Sequence, residues 1–134
     1  MLIRKGQLTA MANAVYREAT PAREQLIDVL TRRIRADYPV ETGELDDDGL
    51  RERVAAAVIR GAEMGLSREP AFYVSAALSV VAGPHFDEHP QIRPMLQDAR
   101  FTPDERLTRL PAAMPPELWQ SLITHARRIP RSDS

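Results

Sequence analysis

Residues 67–84 read SREPAFYVSAALSVVAGP, and the class of the whole chain turns on whether this stretch is helix or strand. The ten residues from Phe72 to Val81 carry no charge. Val74, Val80 and Val81 are β-branched, but they are interleaved with alanines and bounded by helix signals, which decides for helix. Glu69 and Pro70 fall in the first turn, where an acid complements the helix dipole and a missing amide costs nothing. Gly83 and Pro84 stop it. A helix with so little polar surface is buried on most sides, so this one, starting at Ser67, is predicted to be the centre of the core. Ser75 and Ser79, four apart, are expected to bond to carbonyls one turn back or to let a neighbouring helix come close.

Upstream, Leu50, Val54, Ala57, Val58 and Gly61 keep the helical period, and Gly65 followed by Leu66 predicts a left-handed C-terminal cap with its apolar contact. The acidic stretch Val40 to Gly49 predicts a solvated loop in which Asp47 or Asp48 caps the next helix. From Gln7 to Tyr38 a stripe runs through Leu8, Ala12, Val15, Ala19, Ala22, Leu26 and Val29. Its phase survives Thr20-Pro21, which favours one helix kinked at the proline over the alternative of two abutting helices.

Downstream, His85 to Gln91 predicts a loop and Ile92 to Asp98 a short helix. Thr102, Pro103 and Glu105 spell a capping box with proline at the first helical position, opening a helix to Leu110. Residues 110–117, LPAAMPPE, break the chain. Glu117 to Arg128 then predicts an amphipathic helix with Leu118, Trp119, Leu122, Ile123 and Ala126 apolar, followed by a frayed basic tail over 127–134. The expectation is an all-α irregular bundle of three longer helices, the first one kinked, plus two or three short ones, in a single domain over 1–134. At 134 residues one core can form, burying roughly 68% of the unfolded surface.

Eighteen Lys and Arg against nineteen Asp and Glu leave a net charge of -1, so no global field draws the chain to phosphate backbones. Without cysteine there is no disulfide, thiolate nucleophile or zinc-thiolate site. The amino end lacks the apolar run of a signal peptide, and no stretch approaches a membrane span. A cytoplasmic location is expected.

Two segments could carry chemistry. His85, Phe86, Asp87, Glu88 and His89 gather imidazoles and carboxylates, the ligands of zinc, manganese or iron. Between Gly83-Pro84 and Pro90 they read better as a polar turn, with Asp87 capping backbone amides and Phe86 plugging the core. Glu44, Asp46, Asp48 and Gly49 imitate a calcium loop, but its bidentate acid would fall on Ala55. Serines 67, 75, 79 and 121 lack a nucleophile elbow. The clusters Arg32, Arg33, Arg35 and Arg127, Arg128, Arg131 sit at helix C-terminal ends and suit the dipole. A helix-turn-helix reader built on helices two and three would offer REPAFYVSAALSVV to the groove, which is too apolar to read bases. No catalytic residue, cofactor or metal is assigned.

The opening MLIRKGQL, the turn EMGLSRE, and Gly83, Phe86, Asp87 and Pro90 followed by Met95, Leu96 and Asp98 together resemble a family of small helical bacterial proteins encoded beside type VI secretion and PAAR-linked effector genes, over residues 1–110. The expected tryptophan before the short fourth helix is replaced by Arg93-Pro94. The resemblance implies a non-catalytic accessory, an adaptor, chaperone or immunity-type partner that binds an effector or spike component. Trp119 with Leu118 and Leu122 is the candidate anchor, since tryptophan is enriched at binding hot spots, against the blander reading that an amphipathic helix docks inward and Trp119 covers the core; Phe86 and Asp87 complete the candidate partner-binding set. The alternatives are a small metal-dependent enzyme using His85, Asp87 and His89, and a transcriptional regulator.

Overall fold

The computed structural model describes residues 13–128, with side chains through Leu122. Every regular element within them is helical: α1 over 13–17, α2 Pro21–Asp37, α3 Asp47–Glu63, α4 Glu69–Val81, a 3₁₀ turn Phe86–Glu88, α5 Arg93–Leu96, α6 Pro103–Thr108, α7 Leu110–Ala113 and α8 Pro116–Arg128. The chain is an all-α irregular bundle. No helix among the described residues is long and apolar enough to cross a membrane. Leu8 and Ala12 of the predicted first stripe, and 129–134 of the predicted tail, lie outside the described residues, as do the side chains of Ile123 and Ala126.

Helix α4 is the central element. Ala71, Phe72, Ser75, Ala76, Ala77, Leu78, Val80 and Val81 are all buried, and it packs against α2, α3 and α6. The Ser79 hydroxyl donates to the Ser75 carbonyl at 2.8 Å, one turn back as expected. The helix starts two residues later than the sequence predicts, at Glu69 with Arg68 as its cap position. Ser67 is occupied elsewhere, as described below.

The first helix is not one kinked rod. Residues 18–20 leave the helical path, and α2 restarts at Pro21 with Thr20 as an extended cap residue. One hydroxyl joins the two pieces: Thr20 Oγ1 accepts from the Arg23 amide at 3.1 Å and donates to the Val15 carbonyl at 2.7 Å. At the first position of a new helix the proline is free of cost, whereas inside a continuous one it costs about 3 kcal/mol. The break also turns α1. Val15 is 40% exposed, and the inward residues are Asn13, on the carbonyls described next, and Tyr16, whose ring meets Phe72 edge-on at 5.0 Å.

The turn between α3 and α4 carries the densest set of constraints. Gly65 has φ +99°; its amide donates to Ala62 O at 3.1 Å and that of Leu66 to Gly61 O at 3.0 Å, the paired bonds of a Schellman cap. Leu66 folds back over Gly61, where an added Cβ would lie 2.9 Å from its Cδ1. On one side Asn13 Nδ2 donates to the carbonyls of Ala62 (2.9 Å) and Leu66 (2.6 Å). On the other the buried carboxylate of Asp104, from α6, accepts from the amides of Ser67 (2.9 Å) and Arg68 (3.1 Å) and from the Ser67 hydroxyl (2.6 Å). Asp104 thus caps the start of α4 from 36 residues away.

Smaller predictions resolve similarly. Asp46, not Asp47 or Asp48, caps α3, its Oδ1 accepting from Gly49 N at 2.7 Å; the cap is the last extended residue before the helix, and Asp47 instead meets Arg35 at 3.0 Å. The Thr102–Glu105 capping box forms as predicted, but the helix it opens ends at Thr108, and a separate turn of helix follows.

Replacing Asp104 by alanine leaves three donors without their acceptor, and a lost charged partner in a buried site costs about 3 kcal/mol. Urea unfolding of Asp104→Ala is expected to show that loss at an unchanged slope. Gly65→Ala must hold φ +99° with a Cβ, at about 1–2 kcal/mol, measurable in the same assay.

Candidate functional site

The HFDEH segment does not assemble a ligand set. Phe86 is 5% exposed and belongs to the core. Asp87 caps no amide: both its oxygens accept from Arg60 Nη2 of α3, at 2.8 and 3.1 Å. Arg60 also donates through Nη1 to the Pro84 carbonyl at 2.8 Å, so one guanidinium ties the loop after Gly83 (φ +102°) to α3. A charge-assisted, two-oxygen pair outcompetes capping by an isolated carboxylate. His85 Nδ1 lies 2.8 Å from Glu88 Oε2, and His89 Nδ1 accepts from the Gln91 amide. His85 Nδ1 also lies 3.4 Å from Arg60 Nη1, so His85 and Asp87 gather around a cation that the protein itself supplies, and His89 is turned to the backbone of its own loop. Among the described residues no group of three His, Asp or Glu is placed to hold a metal ion.

The last helix answers differently for each of its predicted anchors. Leu118 and Leu122 are 7% and 4% exposed and are core residues, one turn apart on the inward face. They are not surface. Trp119, one position on, is half-buried and walls a cavity of about 340 Å³ between α2, α4 and the α7–α8 link. Val74, Ala77 and Leu78 of α4 line one side, Pro111, Met114 and Pro116 the other, and Tyr38 and Tyr73 complete it. This is the size and apolar character of a small ligand or side-chain site.

The tyrosines are held in place. The Tyr73 hydroxyl donates to Asp37 Oδ2, the Arg33 guanidinium lies over its ring at 4.3 Å from the centroid, and Arg33 itself meets Glu69 at 3.5 Å. Tyr38 ends α2, its carbonyl accepting from the Thr42 amide (3.0 Å) and hydroxyl (2.7 Å). Burial, then the hydrogen bond to Asp37, raise the Tyr73 phenol above its ordinary value; burial and the carboxylates of Asp37 and Glu41 raise that of Tyr38. A phenol held protonated is a fixed polar surface rather than a base at neutral pH.

Sequence reasoning reached Trp119 and missed its neighbours. Tyr73 follows Phe72 on a helix read as buried throughout, and Tyr38 reads as a helix end. Nothing in their local pattern says that the two converge. Comparison with known protein families, with curated proteins and with solved structures gives no match.

Absorbance titration of the three tyrosines separates these environments. Tyr73 is expected to ionise above the ordinary phenol range, and Asp37→Asn, which removes a charge that opposes phenolate, lowers its titration while burial keeps part of the shift. Since the folded phenol holds its proton longer than the unfolded one, stability contributed below pH about 10 is lost as pH rises beyond it, and Asp37→Asn reduces that alkaline loss.

Proposed function

We propose that the protein is a non-catalytic binding module, an adaptor, chaperone or immunity-type partner, that seats an apolar side chain of another protein in the Tyr38–Tyr73–Trp119 cavity. The observation that carries this reading is the cavity itself: three aromatic rings and a methionine around a floor of small and aliphatic residues, with the polar atoms of Tyr73 already engaged. Aromatic walls supply large contact area at low entropic cost, which is why they recur at binding hot spots. The candidate chemistry elsewhere supports the same choice, since Asp87 is spent on Arg60 and the cavity brings together no nucleophile and base. The resemblance to type VI secretion accessories supplies the partner class, an effector or spike component, which contributes the inserted side chain.

The anchor set changes accordingly. Trp119 keeps its place; Leu118, Leu122 and Phe86 act through the core that holds the cavity walls, and Asp87 through the loop it pins.

Val74 is half-buried on the cavity wall, so Val74→Phe fills the space without opening the core. With the tagged chain as bait in its native host, Val74→Phe and Trp119→Ala are expected to weaken capture of the principal partner at least about tenfold, the 1.4 kcal/mol that a moderate hot spot carries, with unchanged circular dichroism. His85→Ala with His89→Ala leaves capture intact. Undiminished capture by the filled variant, or turnover of a small molecule abolished by the histidine pair, overturns the proposal.

A further inference from the structure

The walls of the cavity are apolar, but its α2 side is not neutral. Asp37, the last residue of α2, holds the Tyr73 hydroxyl, and Glu41 follows one turn on, close enough that both carboxylates oppose ionisation of the Tyr38 hydroxyl. The cations of this side are engaged: Arg35 donates to the Thr42 carbonyl at 2.7 Å and to Asp47 at 3.0 Å, and Arg33 meets Glu69 at 3.5 Å. Arg33 stacks over Tyr73, so that ring already serves as a platform for a guanidinium. Arg33 and Glu69 pair with one another at half-exposed positions, so Asp37 and Glu41 leave a surplus of negative charge at the solvent-facing rim of the aromatic-lined space, where it acts through the field it presents to an arriving charge.

We infer that the cavity selects a cationic side chain on an apolar stem, a lysine or arginine of the partner protein. Its stem lies against Val74, Ala77 and Met114, and its charge meets the tyrosine rings and the carboxylates of Asp37 and Glu41. The inference rests on the binding reading above and adds the chemistry of the occupant. A neutral aliphatic side chain buries the same stem but gains nothing from the carboxylates. An acidic one is repelled by them. The partner segment is accordingly basic where it enters the cavity, complementary to this acidic rim.

Trp119 is the single tryptophan of the chain, so its fluorescence reports the site directly. The probes are n-butylammonium, which reproduces the lysine side chain, and 1-butanol, its neutral counterpart of equal length. Butylammonium is expected to saturate the Trp119 response at a concentration at least about tenfold lower than butanol, as cation–aromatic and charge contacts provide. Asp37→Asn, which can still accept from Tyr73, combined with Glu41→Gln removes most of that preference, and Val74→Phe removes both responses. Equal saturation by the two probes, or a preference for butanol, overturns the inference; if Val74→Phe still cuts partner capture, the binding module stands with an uncharged occupant. Loss of the Trp119 responses together with capture indifferent to Val74→Phe brings down both.

Discussion

The carboxylate of Asp104 is the constraint on which the rest of the structure depends. A helix begins with amides that have no intrahelical partner, and α4 begins without a side-chain cap bond from its own cap residue, directly after the buried turn at Leu66 and Ser67. Asp104 supplies the acceptors from α6, and in doing so fixes α6 to the turn. Asn13 does the converse from the opposite side, donating to the carbonyls of Ala62, in the last turn of α3, and of Leu66, in the turn itself. An acceptor for the amides and a donor for the carbonyls hold one turn between them, and in a buried setting each group is costly to leave unpaired. The turn is thus a joint for four elements, α1, α3, α4 and α6.

That joint sets the position of α4, and α4 sets everything functional. Its buried face carries Phe72 and Ala76 into the core, while Tyr73, Val74 and Ala77 run along the flank that becomes the cavity floor. Because residues three and four apart share a flank of a helix and adjacent ones do not, a rotation of α4 by even one position would exchange Tyr73 for a core residue and dissolve the Tyr73–Asp37 pair. The site tolerates little freedom in the joint beneath it.

Local signals made most of the fold legible and almost none of the site. The uncharged run Phe72 to Val81, the Gly65 cap and the Thr102 capping box each declare themselves within a few residues, and each stands in the structure. Thr20-Pro21 was ambiguous for a local reason: an apolar period that keeps its phase cannot distinguish a kinked helix from two helices, and the exposed Val15 shows that the phase was accidental. Asp104 stands in the first turn of α6, where an acid needs no distant partner to account for it. Its partners are Ser67 and Arg68, and only the fold brings them near. Asp87 and Arg60, Tyr73 and Asp37 are hidden for the same reason, as pairs separated by 27 and 36 positions. Leu118, Trp119 and Leu122 were read as one apolar set, yet a helix places position 119 away from the 118–122 line, and that offset is what divides core from cavity wall.

The cavity persists because of what closes it. Pro115 and Pro116 interrupt the chain between α7 and α8, where a proline cannot continue a helix, while Pro111 sits in the first turn of α7. Broken at Met114, the link arches over α4, contributing Pro111, Met114 and Pro116 at its margins and Trp119 at its far end. The floor is kept low by Ala77, the small residue of α4 that faces the cavity between Val74 and Leu78. A core selected only for stability would replace Ala77 with a larger side chain and gain the dispersion contacts that an open space forgoes. Leaving an apolar, aromatic-walled space unfilled is a standing cost to the fold, and an occupant that supplies those contacts recovers it on binding, which is the physical reason for assigning function to this place and not to the histidines of the loop.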